Sequence, residues 1–290
     1  MLWYNLELSC QKEKAFEIEE FLLGYGASSV SFSFQNNNEE FYELKPNETP
    51  LWELVKISAI FEKKISINNI HKILEKTDYL NLFISTFKDK NWVKSYQKNL
   101  VPMQFGKRVW IIPSWAKREA KLGDIIIKIN PGMAFGTGAH ETTHLCLEYL
   151  ELQRPTNKVL IDYGCGSGVL AIAGIKLGAK CAIGIDIDSQ ALSIAAKNAV
   201  KNKVLDKILL TDDTFNEKSS GDILIANIFY NTLVELQTKF SCLLKAKGLL
   251  ILSGVLVHQT LDIIKVFETE FQLKKTKKRN GWSILIFQKK

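Results

Sequence analysis

The sequence predicts an α/β chain whose larger part is a mostly parallel sheet closed by an antiparallel hairpin, with a smaller α+β unit before it. Three observations carry this expectation. From Val159 onward, short continuous apolar runs alternate with helical segments, as parallel strands covered on both faces require. The stretch "DYGCGSG" (162–168) puts three glycines where the first of those strands turns into a helix. Residues 2–87 read in the order strand, helix, strand, strand, helix, strand.

Residues 2–8 alternate as a strand, and the segment after them sets Ala15, Ile18 and Leu22 on one helical face, ended by Gly24 and Gly26. "ASSVSFSF" (27–34) alternates again, with Val30, Phe32 and Phe34 on one side, and "QNNNEE" is a turn or loop. "LWELVKISAIF" (51–61) resumes strand character, and Ser66 is placed to cap a helix with Ile67, Ile70 and Leu74 inward. "YLNLFISTF" (79–87) completes a β-α-β-β-α-β order, that of a ferredoxin-like domain with two helices on one antiparallel sheet. Residues 88–104 read as a charged linker helix ended by Pro102, and "KRVWIIPSW" and "GDIIIKINPG" as two further strands. The expected division is therefore 1–87, a linker at 88–104, and 105–290.

In the last part the expected strands are "KVLIDY", "CAIGID", "KILLT", "DILIAN" and "GLLILSG". The helices between them are "GVLAIAGIKLG", "SQALSIAAKNAVKN" and "TLVELQTKFSCLL". "GWSILIFQ" (281–288) follows "QLKKTKK" through Asn280-Gly281, a hairpin turn signal. The lysines of "KKTKKRN" suit a solvated sheet edge, where they discourage pairing with another sheet.

Composition bounds the function. The 290 residues, 46% of them hydrophobic, suffice for two packed domains. A net charge of +7 permits an acidic partner but does not call for nucleic acid, since solvated lysines explain such an excess. "GLLILSGVLV" (248–257), the longest apolar run, is too short to span a bilayer, and the N-terminus shows no secretory pattern. The five cysteines are scattered with no C-x-x-C pair, which fits a reducing cytoplasm.

The glycine loop is placed to meet a nucleoside ligand. Asp186 ends the next strand, where a carboxylate accepts hydrogen bonds from both ribose hydroxyls. Counted from Gly166, a G-x-G-x-x-G/A fingerprint ends on Ala171, so spacing leaves a dinucleotide open. Charge favours another ligand: Asp162 would repel a pyrophosphate but suits cationic groups, as at the amino-acid end of S-adenosylmethionine. A glycine turn without a ligand is the third alternative.

A second pattern competes nearby. "AHETTH" contains H-E-x-x-H, in which His140 and His144 would hold zinc and Glu141 would act as general base. That site needs a helix carrying both histidines and a third ligand from another element. Leu147 and Leu150 stand where the extended zinc motif wants glycine and histidine. His71 reads as a surface helix residue, and His258 as a loop or helix-start residue. No metal is expected, and His144 is read as lying on the exposed side of its helix.

Four stretches together, "NPGMAFGTGAHETTHLCLEYL", "VLIDYGCGSGVLAIAGIKLGA", "AIGIDID" and "IANI" (225–228), resemble the ribosomal protein L11 methyltransferases. "VWIIPSW" and the N-terminal pattern agree with the same family. The resemblance implies a class I methyltransferase Rossmann-like sheet behind a substrate-recognition domain, with S-adenosylmethionine as donor. It puts Thr143, Gly164, Asp186 and Asn227 on the family's cofactor-binding positions, with Gly166 beside them in the loop, and gives Asn227 the orientation of the acceptor amine. The implied reaction is methylation of lysine side chains and the N-terminal α-amine of ribosomal protein L11. The alternatives are the same chemistry on another protein or a small molecule, or a non-catalytic cofactor-binding protein. Glu141 and His144 replace the family's usual proline and small residue, and Phe229 and Tyr230 stand where small residues are usual, which leaves the acceptor channel's shape open.

Overall fold

The computed structural model describes residues 2–34, 53–74, 77–88, 101–113, 115–116, 118–129, 140–218 and 220–290. The chain forms two compact units, Met1–Ser95 and Tyr96–Lys290. The loop expected at 35–40 and most of the expected linker helix fall outside the described residues. Of its described residues, Lys88 ends a strand, 101–102 are neither strand nor helix, and Met103 and Gln104 begin another strand.

The first unit runs β1 (Leu2–Gln11), α1 (Lys12–Gly24), β2 (Ser29–Phe34), β3 (Leu54–Phe61), α2 (Ile67–Ile73) and β4 (Leu80–Lys88). Its sheet has the order β2-β3-β1-β4 with every neighbouring pair antiparallel. Leu6 and Leu8 of β1 and Val55, Ile57 and Ala59 of β3 bury one face against Ala15, Ile18 and Leu22 of α1, Ile70 of α2 and Leu74 at its C-terminal cap. The helical spacing read from the sequence is thus the packing face, with one exception: Ile67 at the start of α2 is exposed. Ser66 sits at the cap position in extended conformation but makes no side-chain cap bond.

The second unit opens with β5 (Met103–Phe105), β6 (Val109–Pro113) and β7 (Ile125–Ile129), a small sheet of order β5-β6-β7. Then come α3 (Glu141–Gln153), β8 (Val159–Tyr163), α4 (Val169–Lys176), β9 (Cys181–Ile185), α5 (Ser189–Lys201), β10 (Ile208–Thr211) and β11 (Gly221–Asn227). The chain finishes with α6 (Tyr230–Glu235), α7 (Gln237–Leu243), β12 (Leu244–Leu256), α8 (Thr260–Phe267), β13 (Phe271–Arg279) and β14 (Trp282–Lys289).

The large sheet has the order β10-β9-β8-β11-β12-β14-β13, parallel except for β14, which is antiparallel to both neighbours. Strand parity divides the core. Leu160, Ile223 and Ile225 face the cluster of α3 and α4, while Ile161, Leu224 and Ala226 face that of α6, α7 and α8. Asn280 and Gly281 both take positive φ, the form of a two-residue hairpin turn matched to strand twist. The single helix expected over 232–244 is two, broken at Leu236, so that Leu233 and then Phe240 and Leu243 reach one cluster. Strand order reverses between β8 and β11, and the carboxyl ends of strands at such a point form a crevice.

Candidate active site

A cavity of about 430 Å³ lies at those carboxyl ends. It brings together all five residues predicted from the sequence: Thr143, Gly164, Gly166, Asp186 and Asn227. They come from four elements, so the sheet rather than local sequence assembles the site.

The glycine loop is tied to the next strand. Gly164 N and Cys165 N both donate to Ile185 O, at 2.8 and 2.9 Å. Asp186 Oδ2 accepts from Gly166 N at 2.8 Å, and its Oδ1 accepts from Asp188 N at 3.0 Å. A carboxylate offers about four acceptor positions, so each oxygen keeps one for a ligand. Glycine is needed at 164 because φ is +71° and an added Cβ would lie 2.3 Å from Ile228 Cγ2. Gly254, with φ +84°, would meet Ile228 O at the same 2.3 Å. Ile228 is therefore seated between two positions without side chains, which fixes the strand end where Asn227 sits.

Asn227 Nδ2 lies 3.5 Å from Thr143 Oγ1, while Asn227 Oδ1 is buried without a hydrogen-bond partner. An unpaired buried amide oxygen is costly, and at a cavity wall it marks the place of a ligand donor. Thr143 is fully buried in the first turn of α3. Phe229, the aromatic departure expected to affect the channel, is 67% exposed and lines the cavity. Tyr230 packs against the hydrophobic cluster and is not among the lining residues.

Asp162 does not line the cavity as a partner for cationic groups would. It is buried, and its Oδ2 accepts from Ala171 N at 2.9 Å, in the first turn of α4. The cap position of that helix is Gly168, which has no side chain, so the carboxyl reaching over from β8 supplies the missing acceptor. Burial pushes this carboxyl up to about 7, against the Ala171 bond and with the help of nearby Asp186. A carboxyl raised in the fold adds stability that is complete below its unfolded value and lost as pH rises through the folded one. Asp162→Asn keeps the acceptor for Ala171 N and removes the ionisation. Thermal unfolding from about pH 5 to about pH 8 is expected to show the wild type losing stability as pH rises and the variant losing less.

Residues that no sequence motif singled out for the donor also line the cavity. Asp213 follows β10, the strand beyond Asp186, and accepts from Tyr163 OH. Lys239 Nζ stands 2.5 Å from both Asp213 O and Asp213 Oδ1. Burial raises the Asp213 carboxyl, but the Lys239 and Tyr163 bonds outweigh it and hold the group below its usual value. The signal was the acidic pair after "KILLT", since acids at successive strand ends share one crevice. Trp282, from the C-terminal hairpin, and His140 also line the cavity with ring centroids 4.9 Å apart, and no local pattern announces Trp282.

The H-E-x-x-H stretch is not a two-histidine helix face. His140 is the residue capping α3, in extended conformation, and its Nδ1 accepts from Thr142 N at 3.3 Å. Glu141 bonds Arg279, and its Oε1 accepts from Asn280 Nδ2 at 3.0 Å; these bonds hold its carboxyl below the usual range. His144 is half-buried rather than exposed, with its ring centroid 4.8 Å from that of Phe105. Its Nδ1 is 3.4 Å from Glu148 Oε1, and Glu148 also pairs with Lys277. Glu141 of the zinc-like pattern and Glu148 beyond it thus join α3 to the basic hairpin, so two of its cations, Arg279 and Lys277, are ion-paired rather than simply solvated. Among the described residues no group of three or more His, Cys, Asp or Glu is placed to hold a metal ion.

Comparison with known proteins agrees with this architecture. A curated ribosomal protein L11 methyltransferase of Histophilus somni (strain 2336) is 39% identical over 287 residues, 97% of this chain and 96% of that protein. Its counterpart from Mannheimia succiniciproducens is 39% identical over 290 residues, covering 97% of both chains. The crystal structure of a ribosomal protein L11 methylase from Lactobacillus delbrueckii subsp. bulgaricus superposes with a TM-score of 0.59 at 28% identity. It covers 66% of this chain and 100% of that one, in keeping with the class I methyltransferase sheet expected from the sequence. The family model described as Ribosomal protein L11 methyltransferase (PrmA) matches residues 2–290. The chain belongs to the ribosomal protein L11 methyltransferase family.

Proposed function

We propose that the chain transfers methyl groups from S-adenosylmethionine to amines of ribosomal protein L11, on lysine side chains and the N-terminal α-amine. The observation that carries this is the meeting of the Asp186 carboxylate, the glycine loop and the unpaired Asn227 Oδ1 around one cavity. Family membership supports the donor, the reaction and the protein acceptor. Residues 1–87 are proposed to recognise the substrate and 105–290 to perform the transfer. The work would take place in the cytoplasm; among the described residues no helix is long and apolar enough to cross a membrane.

The residues present fit the donor. The two acceptor positions left on Asp186 suit the two ribose hydroxyls, and the side-chain-free backbone of Gly164 at the cavity wall suits the methionine portion. Asp213, one strand further out, suits an exocyclic amine of the base, because adjacent strands lie about 4.8 Å apart and a nucleoside spans that step. When bound, the donor supplies a methyl on an already activated sulfonium. The protein's share is orientation and proximity. Asn227 Oδ1 accepts a hydrogen bond from the incoming amine and turns its lone pair toward the methyl. The amine must arrive neutral, and withdrawal from water lowers the pKa of a lysine there. No metal enters this scheme.

Purified protein, isotopically labelled donor and ribosomal protein L11 test the proposal. Label appearing on lysines and on the N-terminal amine is expected. Donor binding without incorporation would overturn the acceptor assignment, and absence of donor binding would overturn the whole reading. A second measurement separates the overlapping patterns of α3. Thr143→Ala removes a buried hydroxyl beside Asn227 and is expected to weaken donor binding about fivefold. His144→Ala, whose contacts are Phe105 and Glu148, is expected to leave it unchanged.

A further inference from the structure

The inward face of α5 and its C-terminal cap carry two buried asparagines, Asn198 at 1% and the cap residue Asn202 at 6% exposure. Neither lines the cavity. Residues 195, 198 and 202 share one helical face. Along it Ala195 packs under Gly168, where an added Cβ would come within 3.0 Å of the Ala195 Cβ. Asn198 Nδ2 donates to Ser167 O of the glycine loop at 2.9 Å. Asn202 Nδ2 donates to Asn198 O at 2.9 Å and to Lys128 O at 2.7 Å, and Asn202 Oδ1 accepts from Lys128 N at 2.9 Å. Asn202 therefore pairs with both peptide groups of a residue on the edge strand β7, as a neighbouring strand would. Packing alone would be served better by apolar side chains, since a buried carboxamide is tolerated only when its bonds are made.

From the β9 side the loop is fastened through Ile185 O and Asp186. Asn198 adds a tie from α5, to the carbonyl of the Ser167–Gly168 peptide. The chain that leaves β7 at Ile129 is described again at His140, which caps the helix carrying Thr143. One helix face thus ties down both the donor loop and the edge strand β7.

We propose that Asn198 is a positioning residue for the donor-binding loop and that Asn202 extends the same tie to β7. The proposal rests on the donor site assigned above. Its test compares Asn198→Ala, Asn202→Ala and Ala199→Gly in the full-length protein. Ala199→Gly is the control, because Ala199 is buried in the same helix and contacts the core rather than the loop. Donor affinity is read by calorimetry, the split between donor KM and kcat by steady-state kinetics, and stability by thermal unfolding. Asn198→Ala is expected to raise the donor Kd and KM about tenfold, with kcat at saturating donor within about twofold of wild type. Asn202→Ala is expected to raise them about threefold, through Asn198.

Ala199→Gly is expected to lower Tm while leaving donor affinity unchanged. Equal donor affinity in Asn198→Ala and wild type would overturn the proposal, as would an equal loss in Ala199→Gly at matched Tm. If Asn198→Ala does not fold, Asn198→Ser and Asn202→Ala decide by the same criteria. A wild type that fails to bind S-adenosylmethionine would instead overturn the donor site itself.

Discussion

Asn227→Ala is expected to lower kcat by about a hundredfold while the donor KM changes by less than about fivefold, because positioning of a nucleophile acts mainly in the transition state. The amide is the cavity's unpaired buried acceptor, and it touches Thr143 through its other end. Removing it takes away the group proposed to orient the amine but leaves Asp186 and the glycine loop in place. Asn227→Asp separates orientation from charge. It keeps an acceptor at the same position and adds an anion beside the amine, which stabilises the protonated ammonium and raises its pKa. Since only the neutral amine attacks, the rate of this variant is expected to climb toward wild type as pH rises, with its profile shifted to higher pH. Steady-state rates from about pH 7 to about pH 10 on ribosomal protein L11 measure both effects. If Asn227→Ala and wild type turn over equally, the amide has no part in orienting the acceptor.

What the sequence revealed and what it hid follow from the range of the interactions. The helical face of α1, the continuous apolar runs of β8 and β11, buried on both faces, and the Asn280-Gly281 turn are local patterns, and each appears where the residues predict. Of the cavity residues, Gly164, Gly166 and Asp186 were legible because glycines and acids at strand ends carry a positional meaning of their own, whereas Thr143 and Asn227 were placed only by the family resemblance. Asp162 was misread because one acid near a loop can face either the ligand or the helix, and the bond to Ala171 N decides this across nine positions. Trp282 and Lys239 enter from later elements with no nearby pattern. For helix α8 the sequence offered only His258 as a loop or helix-start residue, because its inward face, Thr260, Ile263 and Phe267, is short and follows directly on the long apolar run ending at 257. Glu141 and His144 made a familiar zinc pattern, but their partners, Arg279 and Phe105, lie far away in sequence.

Asp186→Ala is expected to weaken donor binding about a hundredfold, since two charge-assisted hydrogen bonds to ribose are lost together. The same carboxylate also accepts from Gly166 N and Asp188 N, so the loop loses one of its ties to β9. Asp186→Asn distinguishes the two contributions. An asparagine keeps one oxygen, able to accept one backbone N–H and one hydroxyl, but turns an NH₂ group toward the other backbone N–H. That arrangement sets donor against donor, and the loop must shift to relieve it. The asparagine variant is therefore expected to bind donor far more weakly than wild type, within about fivefold of the alanine variant, despite its near-identical shape. Calorimetry with S-adenosylmethionine reads both constants, and ribose-modified donors complete the argument. A donor lacking one ribose hydroxyl is expected to lose affinity for wild type and almost none for Asp186→Ala, because the coupling exists only while both partners are present. If the modified donor loses equally against both proteins, Asp186 does not hold the ribose, and its bonds to Gly166 and Asp188 are its whole role.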